Sequence, residues 1–211
     1  MIDIQHFIYR DGDPTPLLYG SYDPWLVTLS IAIAIGTSIL GMQLTRVAHG
    51  QSSSLLRQVS IIAGSISLGA GIWAMHFIGM MALNLCTRIS YDTVTTILSM
   101  APAVLASWYA LHLLSGEKLT YPRLCLGGLV VGAGIGTMHY TGMLAMQMAP
   151  VLKFDVEWVL LSVVVAIALA TSALWIGLHL NQQKRLPPIY TLTLGGSLMG
   201  LIALCWWERK A

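Results

Sequence analysis

The sequence predicts an all-α integral membrane protein with six transmembrane helices, built as three repeated helix pairs with the N-terminus outside. Hydrophobic residues make up 56% of the 211 residues and charged residues only 9%, whereas a soluble domain carries about 25% charged residues. The mean hydropathy is +0.72. Stretches without Asp, Glu, Lys or Arg, each long enough to cross a bilayer, lie at about 25–45, 59–82, 93–114, 124–147, 158–180 and 189–207.

These spans predict a single membrane domain over residues 25–207, with a polar segment at 1–24 outside the membrane and a polar tail at 208–211. The first segment carries four aspartates against one arginine, unlike the positively charged start of a secretory signal peptide. The net charge of +2 and the scattered basic residues exclude a nucleic-acid partner. The composition also excludes a soluble enzyme, so we expect no enzymatic activity and no catalytic residues.

The orientation follows from the distribution of basic residues, which are enriched in cytoplasmic loops. The N-terminal segment and the loops after helices 2 and 4 hold three Lys or Arg residues. The loops after helices 1, 3 and 5 hold six, namely Arg46, Arg57, Lys118, Arg123, Lys184 and Arg185. The spans themselves lack acidic residues and Lys or Arg, which counts against active transport.

An internal repeat organises the spans. Helix 2 and helix 4 match at a constant offset of 63 in residue number, pairing Gly64 with Gly127, Gly69 with Gly132, Gly71 with Gly134, Met75 with Met138, His76 with His139, Gly79 with Gly142 and Met80 with Met143. The odd helices begin with Ser21-Tyr22-Asp23, Ser90-Tyr91-Asp92 and Phe154-Asp155. A third, weaker copy matches Gly195, Gly196 and Gly200 to Gly127, Gly128 and Gly132 at an offset of 68, and places Trp206 and Trp207 opposite Met138 and His139.

Structural roles account for two sets of repeated residues. An aspartate before each inward-running helix is typical of an N-cap, where a side-chain oxygen accepts hydrogen bonds from free backbone N–H groups. Gly128, Gly132 and Gly136 lie four apart on one helical face, a spacing that lets membrane helices approach closely. We expect the aspartates to cap and the glycines to pack.

The Met-His segments carry the candidate metal ligands. His76 and Met80, like His139 and Met143, are four apart in the sequence and share a helical face. Imidazole nitrogen and thioether sulfur together suit copper, because thioether selects Cu(I), and suit zinc less well. The predicted metal ligands at the outer face are His76, His139, Met75, Met80, Met138 and Met143. Cys86 or Cys205 could pair with each other or add a ligand.

These segments resemble the MHYT domain family of bacterial membrane sensors. Met138-His139-Tyr140-Thr141 has the four residues that name the family, Met75-His76-Phe77-Ile78 is similar to a common variant, and the resemblance extends from Ser21 to Gly200. It implies a multi-pass sensor of the bacterial inner membrane, a copper site formed by the His and Met residues near the outer face, and a diatomic gas (oxygen, carbon monoxide or nitric oxide) or redox state as the signal. Family members are often fused to cytoplasmic domains that make or degrade cyclic di-GMP.

Three other functions fit the same residues. The two histidines could be axial ligands of haem, for electron transfer or sensing. The methionines could belong to a copper channel or carrier, although they form no ladder through all spans. The chain could also be a purely structural subunit. The expected partners are the lipid bilayer, a diatomic gas and a cytoplasmic or membrane signalling protein, with a homo-oligomer as a further option.

Overall fold

The computed structural model describes residues 20–85, 89–114, 120–147 and 156–182. Among them, helices long and apolar enough to cross a membrane cover Pro24–Ala48, Ser54–Met81, Thr93–Leu114, Tyr121–Ala145 and Val156–Ile176. They coincide with the first five predicted spans and confirm a helical membrane architecture. The predicted sixth span, the terminal tail and Cys86 and Cys205 lie outside the described residues, and the N-outside orientation stays a prediction.

The described elements follow one another as helix pairs joined by short strands. They are β1 (Gly20–Tyr22), α1 (Pro24–His49), α2 (Ser54–Met81), β2 (Leu83–Leu85), β3 (Ser90–Tyr91), α3 (Thr93–Leu98), α4 (Met100–Leu114), α5 (Tyr121–Ala145), β4 (Met146–Gln147) and α6 (Val156–Gln182). The prediction of an all-α fold was therefore incomplete, because it missed the four strands. Strands this short carry too little alternation of polar and apolar residues to be recognised in the sequence.

The strands form two equivalent antiparallel pairs at one end of the bundle, which we call the strand end. Tyr22 pairs with Leu83 in β1–β2, and Tyr91 pairs with Met146 in β3–β4. The pairing is extended by backbone hydrogen bonds of 2.9 Å from the Asp23 amide to the Ala82 carbonyl and from the Asp92 amide to the Ala145 carbonyl. The starts of α1 and α3 are thus tied to the ends of α2 and α5 respectively.

The aspartates at the strand end cap helices, as expected. The Asp23 carboxylate accepts a hydrogen bond from the Trp25 amide at 2.8 Å. The Asp92 carboxylate accepts one from the Thr95 amide, also at 2.8 Å. Asp155 lies outside the described residues.

The third span is interrupted at Ser99, where α3 ends and α4 begins. Pro102 is the cause, because proline lacks an amide hydrogen and its ring clashes with the carbonyl four residues earlier, here that of Leu98. The predicted span at 93–114 is confirmed as Thr93–Leu114, but the break inside it was not predicted. A proline inside an apolar run was the signal that could have found it.

The helices pack in sequence order, with α2 between α1 and α4, and α5 between α4 and α6. Glycines allow the close approaches: a Cβ at Gly69 would lie 2.5 Å from Val104 Cα, and a Cβ at Gly132 would lie 2.6 Å from Ile167 Cα. The second contact is the first one displaced by the repeat offset of 63, so the sequence repeat is also a packing repeat. The glycine stripe is confirmed as a packing face at Gly128 and Gly132, whereas Gly136 is only near Val163 Cγ2, at 4.0 Å.

Buried apolar clusters lie away from the strand end, around Ala48, Ile61 and Leu111 and around Ala110, Leu124 and Leu174. The outward faces of the helices are apolar as well, with Leu105, Leu160 and Val164 more than half exposed. An exposed apolar surface on the spanning helices suits contact with lipid rather than with water.

Candidate metal centre at the strand end

The two histidines of the Met-His segments meet at the strand end. Their ring centroids are 4.8 Å apart and the ring planes are inclined by 59°. His76 lies in the last turns of α2 and His139 in the last turns of α5, so equivalent residues of the two copies become neighbours. The expectation that the two segments converge at one face is therefore met by the geometry of the rings.

Gly142 makes this approach possible. A Cβ at position 142 would lie 3.0 Å from His76 Nε2, 3.2 Å from His76 Cδ2 and 3.2 Å from Phe77 Cζ. The backbone of α5 thus lies directly against the imidazole of α2, and a Cβ at position 142 would require His76 or Phe77 to shift. Gly142 was recognised in the sequence only as a repeated residue, and its contact with His76 depends on the helix packing.

His76 Nε2 is buried and has no hydrogen-bond partner among the described residues. A buried polar atom without a partner is rare and asks for an explanation, such as an ion or a water molecule. A neutral imidazole nitrogen is also the commonest metal ligand. His139, beside it, is exposed in the described part of the chain.

The predicted methionine ligands differ in burial. Met138 is 2% exposed and Met80 is 9% exposed, whereas Met75 and Met143 are half-buried. Met138 precedes Gly142 by four positions and therefore shares the α5 face that contacts His76. Met80 follows His76 by four positions on α2. Each histidine thus has a methionine of its own helix within one helical turn in the sequence, and the role of the four methionines as ligands stays a prediction.

Among the described residues, His, Cys, Asp and Glu side chains form no group of three or more that could hold a metal ion. The two histidines consequently lack a nearby carboxylate or thiolate in this part of the chain. The soft donors that the two Met-His segments add to the imidazoles are the thioethers of their methionines. This donor set matches the preference of copper better than that of zinc.

Aromatic rings surround the first histidine. The Phe77 ring is 5.4 Å from His76, 4.9 Å from Trp73 and 6.1 Å from Tyr91, measured between centroids. Tyr91 Oη is buried without a partner among the described residues, and burial raises the pKa of this phenol. The imidazole of His76 thus lies beside aromatic side chains from α2 and from β3, the strand that precedes α3.

A serine on each following helix is bonded to an aromatic side chain near the histidines. The Trp73 indole N–H donates to Ser99 Oγ at 3.1 Å and to the Thr96 carbonyl at 3.0 Å. In the second copy, the Tyr140 hydroxyl shares a hydrogen bond with Ser162 Oγ, and its ring lies 5.1 Å from that of His139. Ser99 and Ser162 are related by the repeat offset of 63, but their aromatic partners come from different positions of the repeat.

The other histidines among the described residues, and the described cysteine, belong to other parts of the bundle. His112 stacks on Trp108 at 5.7 Å near the opposite end of α4, and His49 and His179 belong to the C-terminal ends of α1 and α6. Cys125 is an exposed free thiol near the start of α5, away from the strand end.

Known proteins share this repeat. The MHYT family model, described as a bacterial signalling protein N-terminal repeat, matches residues 69–127 and 132–190. The two matches start at positions separated by the same offset of 63 that relates the helix contacts.

Three relatives are similar over most of this chain. The bifunctional diguanylate cyclase/cyclic di-GMP phosphodiesterase MucR of Pseudomonas aeruginosa is 38% identical over 170 residues, which is 80% of this chain and 24% of MucR. The signalling protein YkoW of Bacillus subtilis is 34% identical over 155 residues, 74% of this chain and 19% of YkoW. The cyclic di-GMP phosphodiesterase NbdA of Pseudomonas aeruginosa is 35% identical over 156 residues, 73% of this chain and 19% of NbdA. The chain thus spans a quarter or less of the length of these relatives, and no solved structure matches it.

Proposed function

The chain belongs to the MHYT family of bacterial membrane signalling proteins, and from that premise we propose that it holds one copper ion between His76 and His139 and senses a diatomic gas. The observation that carries the proposal is the 4.8 Å separation of the two imidazole rings, together with the unpartnered Nε2 of His76. The chain acts as the sensory part of a signalling protein of the bacterial inner membrane, without catalytic activity of its own.

The available donors support copper. His76 and His139 offer imidazole nitrogens, and Met80 and Met138 offer buried thioethers. Soft thioether ligands select Cu(I), and imidazole suits both copper states. His76 and His139 would hold the copper ion, and Cu(I) bound there would supply the chemistry for binding oxygen, carbon monoxide or nitric oxide.

Each repeat supplies one half of the site. The ring centroids are 4.8 Å apart, which is close enough for both imidazoles to bind one ion, because imidazole nitrogens bind a metal at about 2.0 to 2.1 Å. The proposed stoichiometry is therefore one ion per chain. It follows that loss of either histidine removes the whole site rather than half of it.

The contacts of α2 and α5 provide a way for a change at the two histidines to reach the other helices. α2 packs mainly on α1 and α4, and α5 packs mainly on α4 and α6, so the His76–His139 contact joins two helices that are otherwise held by other neighbours. Movement of the imidazoles changes the position of Gly142 against His76. Tyr140, bonded to Ser162, carries that change to α6. Because MucR and NbdA are enzymes of cyclic di-GMP turnover, we place the output in the control of that nucleotide.

The ring geometry favours a single ion over haem. Two axial histidines bind haem iron from opposite faces of a flat macrocycle, which must then lie between the rings. Here the rings are 4.8 Å apart and Gly142 packs directly against His76. A purified protein without a Soret band would agree with this choice, and a haem spectrum lost in His76→Ala would replace copper by haem.

Metal analysis of the protein, purified in detergent and reconstituted with Cu(I), tests the proposal. We expect one copper per chain in the wild type and none in either His76→Ala or His139→Ala. His112→Ala, at the other end of the bundle, is the matched control and retains the metal. A wild-type protein that binds no copper, or histidine variants that bind as much as the wild type, would refute the proposal. Carbon monoxide binding by the copper-loaded protein then tests gas sensing separately.

A further inference from the structure

Two buried hydroxyl groups near the histidine pair have no hydrogen-bond partner among the described residues. They are Tyr91 Oη in β3 and Thr96 Oγ1 in α3, and His76 Nε2 on α2 shares this condition. A buried hydroxyl without a partner has given up its bonds to water for nothing, so such groups are rare in folded proteins. Three of them in neighbouring elements therefore need a common explanation.

The three residues surround one pair of aromatic rings. The Phe77 ring lies 5.4 Å from that of His76 and 6.1 Å from that of Tyr91, measured between centroids. The Trp73 ring is 4.9 Å from that of Phe77, and its indole N–H donates to the Thr96 carbonyl at 3.0 Å. The residues that carry the three atoms therefore meet where the segment from β3 to α3 reaches the last turns of α2.

The Thr96 hydroxyl does not use the partner that its own helix offers. Serine and threonine hydroxyls in helices commonly donate to a carbonyl three or four residues earlier. Ser65 donates to the Ile61 carbonyl in this way at 2.7 Å, and Thr171 donates to the Ile167 carbonyl at the same distance. Because the Thr96 hydroxyl makes no such bond, its partner must come from outside α3.

The repeat shows that the buried hydroxyls are particular to the middle copy. When the starts of the odd helices are aligned, the threonine is replaced by Val27 in the first copy and by Val159 in the third. The tyrosine corresponds to Tyr22, which is 43% exposed, and in the sequence of the third copy to Phe154. The common fold of the repeat therefore does not require these hydroxyls to be buried.

We propose that Tyr91 and Thr96 line a buried hydration site beside His76, in which internal water forms hydrogen bonds with both hydroxyls. The hydrocarbon of a bilayer offers neither donors nor acceptors, so a partner has to be found inside the protein. Water suits these groups, because a hydroxyl both donates and accepts, and an internal water molecule typically bonds to several otherwise unsatisfied groups.

The hydration site brings exchangeable solvent next to the histidine pair. Phe77 and the backbone at Gly142 pack against the His76 imidazole, and the hydroxyls of Tyr91 and Thr96 add polar groups to these apolar surroundings. A small molecule that displaces the water loses affinity unless it replaces the hydrogen bonds of that water. The site thus favours small molecules that form hydrogen bonds. This inference goes beyond the copper proposal and is testable in the metal-free protein.

Water-edited solid-state NMR of the metal-free protein in lipid vesicles tests the proposal directly. The protein contains isotopically labelled tyrosine, and the Tyr91 ring signal is identified by its loss in Tyr91→Phe. We expect magnetisation to pass from water to this signal several-fold faster in the wild type than in Thr96→Val, which lacks the second hydroxyl. Thr96→Ser retains a hydroxyl and should retain the wild-type rate.

Ser107→Ala is the matched control for this measurement. It also removes a buried hydroxyl without a partner among the described residues, but on α4, and should leave the Tyr91 signal unchanged. Water outside the protein contributes equally in all of these variants, so the comparison reports on internal water. Equal transfer rates in the wild type and Thr96→Val would overturn the proposal.

Stability provides an independent test through the sign of the change. If the hydroxyls share water, Tyr91→Phe and Thr96→Val each lower the midpoint of unfolding in denaturing detergent, and the double variant loses less than the sum of the two. If the hydroxyls were dry, removing either one would raise the midpoint, because an unpartnered buried polar group destabilises the folded state. A raised midpoint, or losses that simply add, would contradict the proposal. Both substitutions introduce residue types found at equivalent positions of the repeat, so they are compatible with its fold.

Discussion

The indole N–H of Trp73 on α2 donates a hydrogen bond to the hydroxyl of Ser99 at 3.1 Å, at the break between α3 and α4 that Pro102 introduces. The same N–H bonds to the Thr96 carbonyl at 3.0 Å, and Ser99 is fully buried. Freed backbone groups in a membrane helix must find partners inside the protein, and Trp73 provides one. Its ring also contacts Phe77, next to His76, so the helix break lies beside the histidine pair.

Trp73→Phe is expected to lower the stability of the protein and to increase opening of the backbone at the break between α3 and α4. The substitution keeps an aromatic ring but removes the N–H donor, and interhelical hydrogen bonds in membrane proteins contribute about 0.6 and at most ~1.7 kcal/mol. We expect a loss of that size in unfolding by denaturing detergent, with faster hydrogen exchange at residues 96–100. Trp108→Phe, whose indole is 44% exposed on α4, should leave both quantities unchanged. Equal effects of the two substitutions would mean that Trp73 has no special role at the break.

Gly142→Ala is expected to disturb the histidine pair. The added methyl group would lie 3.0 Å from His76 Nε2, tighter than normal packing allows, and overpacking a core costs about 1 to 3 kcal/mol. We expect lower stability and weaker copper binding in the same variant. Gly36→Ala on α1 is the control, because a Cβ there meets no described atom within 4 Å. Unchanged copper affinity in Gly142→Ala would show that the contact between Gly142 and His76 is not needed for copper binding.

The Tyr140–Ser162 bond is expected to appear as a coupling between two substitutions. Tyr140→Phe and Ser162→Ala each remove one partner of the same hydrogen bond, so the double variant should lose less stability than the sum of the single ones. A coupling of about 0.6 kcal/mol is expected, with ~1.7 kcal/mol as an upper bound. Thr137→Val, which removes a bond within α5 alone, should be additive with Ser162→Ala. Strict additivity of the first pair would contradict the contact.

Asp92 is expected to make stability depend on pH in the acid range. Hydrogen bonds from the Thr95 side chain and amide lower the pKa of this carboxyl from its ordinary value of 3.8. A group with a lowered folded-state pKa stabilises the protein above its unfolded-state pKa, and this contribution disappears as the pH falls through the folded-state value. The wild type should therefore lose more stability than Asp92→Asn between neutral pH and pH below the ordinary carboxyl value.

The Asp92→Asn substitution isolates the charge in this comparison, because an asparagine side chain does not titrate in this range but still caps a helix. Thermal unfolding of both proteins over that range measures the difference. Parallel pH profiles would show that the contacts with Thr95 do not make the ionised Asp92 carboxylate stabilise the folded protein.

The helices, the repeat and the helix caps of this protein could be predicted from the sequence alone. Apolar length specified the helices, since a bilayer accepts only segments that satisfy their own backbone. Repetition at a constant offset identified the paired copies, and short polar side chains before helices identified the caps of Asp23 and Asp92. These features depend on the residue order along the chain and on neighbours within a few positions, and for that reason they could be predicted before any helix was placed beside another.

Tertiary structure decided how the copies meet. The rotation and depth of α2 against α5 bring His76 onto Gly142 and set its ring beside that of His139, and no local pattern encodes that rotation. The same packing gives Ser99 an indole partner and Ser162 a phenol partner, although the two serines are equivalent in the repeat. Side chains far apart in the chain are selected together for such contacts, because each close approach requires one residue to be small where its partner is large.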